Sequence, residues 1–167
     1  FENLLRVIDN PRQDICLLSV MRSPIYKFEP SDFALLRLMD KDLDIYGLLD
    51  KLYEMDQAEL DSLGKDYQDL RLRVVDFMDQ IDAYRRMSVL MPLDEFIWFL
   101  LKDTGYYAYV GGLEMGQHRQ NNLILFFERA RSFEKTSFKG LFNFVNYIDR
   151  VKTRGSDMGE AKELSED

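Results

Sequence analysis

The chain has 167 residues, 46% of them hydrophobic and 13% aromatic, with a net charge of −8. That length supports one ordinary domain with a buried core. The acidic balance argues against a free-standing, tight binder of duplex DNA, whose affinity grows with the phosphates it neutralises. No apolar run approaches the roughly 20 residues of a membrane span, and no basic–apolar signal pattern leads the chain. The single cysteine, Cys16, cannot form an internal disulfide, so a cytoplasmic, membrane-free, monomeric protein is expected, with Cys16 as small core filler.

Helical periodicity dominates the chain order. Phe1, Leu4, Leu5 and Ile8 fall on one helical face, and Asn10-Pro11 ends that helix because the residue before proline leaves the α region. Asp14 is placed to accept from the first free amides of a second helix carrying Leu17, Leu18 and Met21, closed by Ser23-Pro24. A third helix starts near Pro30-Ser31-Asp32 and runs through Met39. After a polar break at 40–44, Tyr46, Leu49 and Tyr53 predict a short helix ending near Met55. The longest helix is predicted from about Gly64 to Leu90, where Tyr67, Leu70, Val74, Phe77, Ile81 and Tyr84 hold a three–four spacing. Leu93 to Leu101 forms the next, closed by Gly105.

Residues 106–116 read as a Gly- and Tyr-rich connection, with 106–110 as the one candidate strand. Leu123, Phe126, Phe127, Ala130 and Phe133 mark a further helix. The last helix, with Thr136 or Ser137 as cap, shows two apolar stripes: Leu141, Phe142, Val145 and Ile148, then Phe144, Tyr147 and Val151. Two stripes predict packing between neighbours. Gly155 is expected to stop it. The pattern is an all-α, irregular bundle of about seven to eight helices over residues 1–155, followed by an acidic linker over 156–167. The missing initiator Met and the acidic tail suggest a piece cut from a longer polypeptide.

Catalytic signatures are weak. The Gly64-Lys65 pair has Glu59 and Asp66 where a phosphate-binding loop needs Gly and a hydroxyl, so it reads as a turn. One Cys and one His at distant positions cannot build a zinc site, and His118 sits in a polar helix start that favours a solvated or capping role. Residues 40–82 carry 13 acidic and 5 basic side chains, which read as solvated faces before any carboxylate or Mg²⁺ site. No catalytic residue, metal or cofactor is expected in this chain. Residues 117–155, in contrast, carry 8 basic and 3 acidic side chains. Such asymmetry suits one face turned to a polyanion, or simply solvated helix faces.

Three runs in fixed order carry a resemblance: Leu4 to Ile15 (LLRVIDNPRQDI) with Arg22-Ser23-Pro24-Ile25; then Ala83-Tyr84-Arg85, Leu93 to Ile97 and Thr104-Gly105-Tyr106; then Tyr109 to Gly112, Arg119 to Leu123, Phe133-Glu134, Thr136 to Phe138, Gly140 to Phe142 and Arg154-Gly155. Together they resemble the inserted helical subdomain, called 2B, of UvrD-like superfamily 1 DNA helicases, and within them the AddA component of the bacterial AddAB-type helicase/nuclease. The resemblance implies a non-catalytic accessory subdomain that positions duplex or junction DNA and regulates unwinding in double-strand break repair and recombination. It implies a parent that is an ATP-dependent DNA helicase with exonuclease activity, using ATP and Mg²⁺ outside this chain and working with an AddB-type partner. The alternative is a helical protein-interaction module that docks that partner and never touches DNA.

Relatives carry a P-x-x-G-I-G turn after the second helix. Here Pro24 is kept, while Lys27, Phe28 and Glu29 replace Gly-Ile-Gly. Loss of both glycines is expected to remove close backbone approach to phosphate, leaving Lys27 an ordinary salt-type contact. The DNA-binding candidates are Lys27, Arg129, Arg131, Lys135 and Lys139, of which Arg131, Lys135 and Lys139 recur at i+4. Dipole and capping roles compete for some of them. Tyr106, Tyr107 and Tyr109 are read as core or hinge packing before base stacking.

Overall fold

The computed structural model describes residues 1–163, with side chains as far as Thr153. Among them are ten α-helices and no strand: α1 (Glu2–Asp9), α2 (Asp14–Met21), α3 (Pro30–Met39), α4 (Ile45–Glu54), α5 (Gln57–Leu63), α6 (Lys65–Leu90), α7 (Leu93–Asp103), α8 (Tyr106–Gly111), α9 (Gly116–Glu134) and α10 (Leu141–Glu163). The all-α expectation holds, and the count rises above eight because two short helices, α5 and α8, form where the sequence predicts connections. No described helix is long and apolar enough to cross a membrane. The chain divides into two compact units, residues 1–87 and 88–167.

In the first unit, Leu4, Leu5, Val7 and Ile8 of α1 are buried, as are Leu17, Val20 and Met21 of α2. Each such side chain withdrawn from water stabilises the fold by about 2 kcal/mol. Cys16 is only half-buried, with its thiol 3.6 Å from Gln13 Oε1. Asp14 does not serve its own helix. Gln13 is the N-cap of α2, and Asp14 Oδ1 accepts at 3.2 Å from the amide of Ile45, the first residue of α4. The α4 N-terminus thus has two acidic acceptors, since Asp44 also takes the Gly47 amide at 2.6 Å. Asp56 caps α5 in the same way through the Glu59 amide. Arg85 of α6 donates from Nε to the Ile8 carbonyl at 3.0 Å, satisfying the C-terminal end of α1 with a cation, where the helix dipole favours one. Burial raises the Asp9 carboxyl above its ordinary value, and the Arg85 charge opposes that shift.

In the second unit, the core is Phe96, Ile97, Leu100 and Leu101 of α7, Val110 of α8, Ala130 of α9 and Leu141, Phe144, Val145 and Ile148 of α10. Gly105 takes φ 66 between α7 and α8, as its predicted closing role requires, but the chain re-enters a helix at once instead of a strand or loop. Tyr106 and Tyr109 stack one turn apart with centroids 6.3 Å apart, while Val110 is buried. Gly116 opens α9 where the backbone touches α8: a Cβ there would lie 2.1 Å from the Gly111 carbonyl oxygen. Trp98, the sole tryptophan, is half-buried against Tyr107 at 5.4 Å and Phe127 at 5.7 Å, with Lys102 Nζ 5.3 Å over its ring.

Three expectations for the last helix are corrected. Thr136 and Ser137 do not cap it, because α10 begins only at Leu141. Its two stripes are not used equally: Leu141, Phe144, Val145 and Ile148 are buried, while Phe142, Tyr147 and Val151 stay exposed. Helical geometry explains this, since Tyr147 and Val151 flank the buried stripe on one side and Phe142 on the other. Finally, α10 continues through Gly155 to Glu163, where a linker is expected. An interior glycine costs only about 1 kcal/mol against alanine, too little alone to end a long helix. The remainder of the expected linker lies outside the described residues.

Candidate nucleic-acid interface

In the first unit the site is the turn between α2 and α3. Arg22 closes α2, and the Tyr26 and Lys27 amides return to the Ser23 carbonyl at 3.2 and 2.9 Å. The Phe28 amide then reaches the Met21 carbonyl at 2.9 Å, so the chain folds back on the helix it has left. Lys27 is exposed and adopts φ 55. That is the left-handed region, which an L-residue enters at a cost of about 1–2 kcal/mol. The expected loss of glycine geometry is therefore only half realised: Lys27 stands in for the first glycine of the turn and keeps a glycine-like backbone.

What holds that conformation is Arg73 of α6. Its guanidinium donates to the Lys27 carbonyl at 3.2 Å, contacts Asp32 at 2.9 Å, and lies 4.6 Å over the Phe28 ring. Asp32 is the buried charged residue of the described chain, at 7% exposure. Its Oδ2 accepts the Glu29 amide at 2.6 Å, while its own amide donates to the Glu29 carbonyl at 3.0 Å. This is the capping arrangement that starts α3, with Pro30 in the first turn as predicted. Tyr26 and Phe28 both pack edge-on against Phe77, at 4.7 and 5.8 Å. The turn is braced on both sides, and Glu29 lies at its exposed end. Arg73 and Asp32 lie 41 residues apart, and no local pattern in the sequence marks either of them.

The second group of candidates lies in the other unit, around the end of α9. Arg129, Arg131, Lys135 and Lys139 are all exposed. They do not share one helical face. Arg129 and Arg131 project about 200° apart around the axis of α9. Lys135 is the C-cap of α9, and Lys139 lies in the turn before α10, where its carbonyl accepts from Asn143 Nδ2 at 2.9 Å. The i+4 spacing of Arg131, Lys135 and Lys139 therefore stops describing a helix after Lys135. Arg131 has Glu128 Oε1 at 3.9 Å, an exposed pair worth little, and lies where the helix dipole favours a cation. Arg129 lines a groove of about 400 Å³ between α9 and α10, with Leu125, Glu128, Ser132, Phe133 and Tyr147.

His118 is exposed in the first turn of α9. Tyr107 packs on Trp98, and its carbonyl accepts from Gln120 at 3.1 Å. Gly64-Lys65 is the junction of α5 and α6. Asp40 in the acidic stretch accepts from the Asp42 amide and from Lys51, which together hold its carboxyl below the ordinary value. Among the described residues, no three His, Cys, Asp or Glu side chains group to hold a metal ion. A cavity of about 40 Å³ beside Val7, Leu17, Phe77, Ile81 and Arg85 has room for water, not for a nucleotide.

No family model matches the chain. Individual proteins do. It is 47% identical over 164 residues to the AddA subunit of the ATP-dependent helicase/nuclease of Clostridium novyi (strain NT), covering 98% of this chain and 13% of that protein. It is 46% identical to the subunit of the same name from Clostridium perfringens (strain 13 / Type A), covering 98% and 12%. For the subunit from Acetivibrio thermocellus the identity is 48%, again over 98% and 12%. The chain thus spans 12–13% of the length of these curated relatives. At this identity over nearly all of its residues, the chain belongs to the AddA family of ATP-dependent helicase/nuclease subunits, matching one segment of its members.

Proposed function

We propose that this chain is a non-catalytic accessory segment, of the 2B type, in an ATP-dependent DNA helicase/nuclease subunit. Its role is to position duplex or junction DNA and to regulate unwinding during double-strand break repair and recombination. The observation that carries the reading is the match of 98% of the chain to AddA subunits named as ATP-dependent helicase/nuclease, at 46–48% identity. On this reading ATP, Mg²⁺ and strand cleavage belong to other parts of the parent, and the helices here act by shape and charge. The braced Lys27 turn and the cations Arg129, Arg131, Lys135 and Lys139 are the DNA-facing groups.

Fluorescence anisotropy with a labelled duplex/single-strand junction tests it. The chain is expected to bind weakly, with affinity falling steeply as salt rises, and to show neither ATPase nor nuclease activity. Unchanged binding after Arg131→Glu, Lys135→Glu and Lys139→Glu together would remove those residues from the interface. Nucleotide hydrolysis by the chain itself would overturn the accessory role.

One observation favours a second reading, docking of an AddB-type partner. The groove beside Tyr147 has an apolar floor that includes Phe133, Leu125 on its wall is exposed, and Val151 is exposed one turn beyond Tyr147. Pull-down of the partner with and without DNA, using Leu125→Glu, separates the two.

A further inference from the structure

The turn between α9 and α10 displays an unusual surface. Phe138 at its tip is 70% exposed, and Phe142 in the first turn of α10 is 63% exposed. Two phenylalanines held in water forfeit about 2 kcal/mol each of available burial, so a partner of matching chemistry is called for. The rings alternate with cations. From Arg129 to Ile148 the chain has four basic residues and one acidic residue, and from Lys135 onward in that run it has no acid at all.

The turn is organised by its own bonds. Thr136 Oγ1 donates to the Phe133 carbonyl at 2.7 Å and accepts the Phe138 amide at 3.2 Å. Gly140 takes φ 89, turning the chain into α10 beside the two rings. The rings are therefore presented by a defined turn.

We propose that the Lys135–Asn143 turn is a stacking platform for single-stranded nucleic acid, with Phe138 and Phe142 taking bases and Lys135 and Lys139 taking the adjoining phosphates. Aromatic rings interleaved with cations are what sequence-tolerant single-strand binding needs: every base offers a π-face and every nucleotide a negative charge. An acidic occupant is favoured by the sign of the charge, and a flat aromatic one by the exposed rings. The proposal rests on the DNA-handling role above and gives it a strand preference that the Lys27 turn does not supply.

The test uses the full 167-residue chain with a dye-labelled oligothymidine of about 15 nucleotides, and a blunt duplex and a junction as comparisons. Phe138→Ala and Phe142→Ala are each expected to weaken oligothymidine binding about tenfold. Duplex binding should stay within about twofold, because it depends on phosphate contacts. Phe138→Trp should retain single-strand affinity; both rings are exposed, so these variants leave the core intact. If oligothymidine affinity is unchanged by both alanine variants, or if only junction and duplex bind, stacking is refuted while the DNA role stands. If no DNA binds even at low salt, both fall. If the alanine variants change only the sedimentation coefficient, the rings cover a protein surface and the proposal is overturned.

Discussion

Replacing Asp32 by alanine should loosen the first unit by about 2 kcal/mol, built from two contributions of about 1 kcal/mol each. The first is the carboxylate that accepts the Glu29 amide at 2.6 Å at the start of α3. Loss of such an acceptor typically costs about 1 kcal/mol. The second is the contact with Arg73, whose side chain is 41% exposed. Solvent screening limits that pair to at most about 1 kcal/mol. Asp32→Asn keeps one acceptor oxygen and should lose less. Urea unfolding followed by far-UV circular dichroism measures both. With a slope of about 1–2 kcal/mol per molar, the Asp32→Ala midpoint should fall by about 1–2 M with the slope unchanged. A fall below about 0.3 M would mean that the Arg73–Asp32 brace adds little, and that packing of Tyr26 and Phe28 on Phe77 holds the turn.

Lys27→Gly should stabilise the chain by about 0.5–1 kcal/mol, because relief of the left-handed backbone outweighs the extra freedom of unfolded glycine; the same urea titration reads it. Gly116→Ala should destabilise by roughly 2 kcal/mol or more, since the added methyl meets the Gly111 backbone and helix α8 or α9 must move. Thermal melts of the two proteins would show it, and an unchanged midpoint would refute the close approach. Asp40 has a carboxyl held below its ordinary value, so its contribution is present above the unfolded-state value and lost as pH falls through the folded one. Melts of wild type and Asp40→Asn should therefore differ at neutral pH and converge in acid.

The long periodic helices are legible because their apolar spacing repeats for many turns, as in α6 from Leu70 to Tyr84. Helices α5 and α8 are not: seven and six residues hold too few turns to show a period. In α8, glycines and tyrosines also mimic loop or strand composition. Capping can be read from sequence where donor and acceptor are neighbours, as at Pro30. It fails for Asp14, whose partner Ile45 lies 31 residues away, and the Arg85–Ile8 contact, spanning 77 residues, has no local signal at all. The candidate site suffers the same limit. Equal spacing makes Arg131, Lys135 and Lys139 look like one face, but the helix ends at Glu134. At Lys27, glycine loss implies loss of a glycine-like turn, whereas a distant arginine preserves it.

Trp98 has a practical consequence. With its indole beside Tyr107, Phe127 and the Lys102 ammonium, its emission is a native optical reporter confined to the second unit. Excitation at the red edge of the absorption band would follow melting or ligand arrival there without any attached dye, while tyrosine light from the first unit stays spectrally separate.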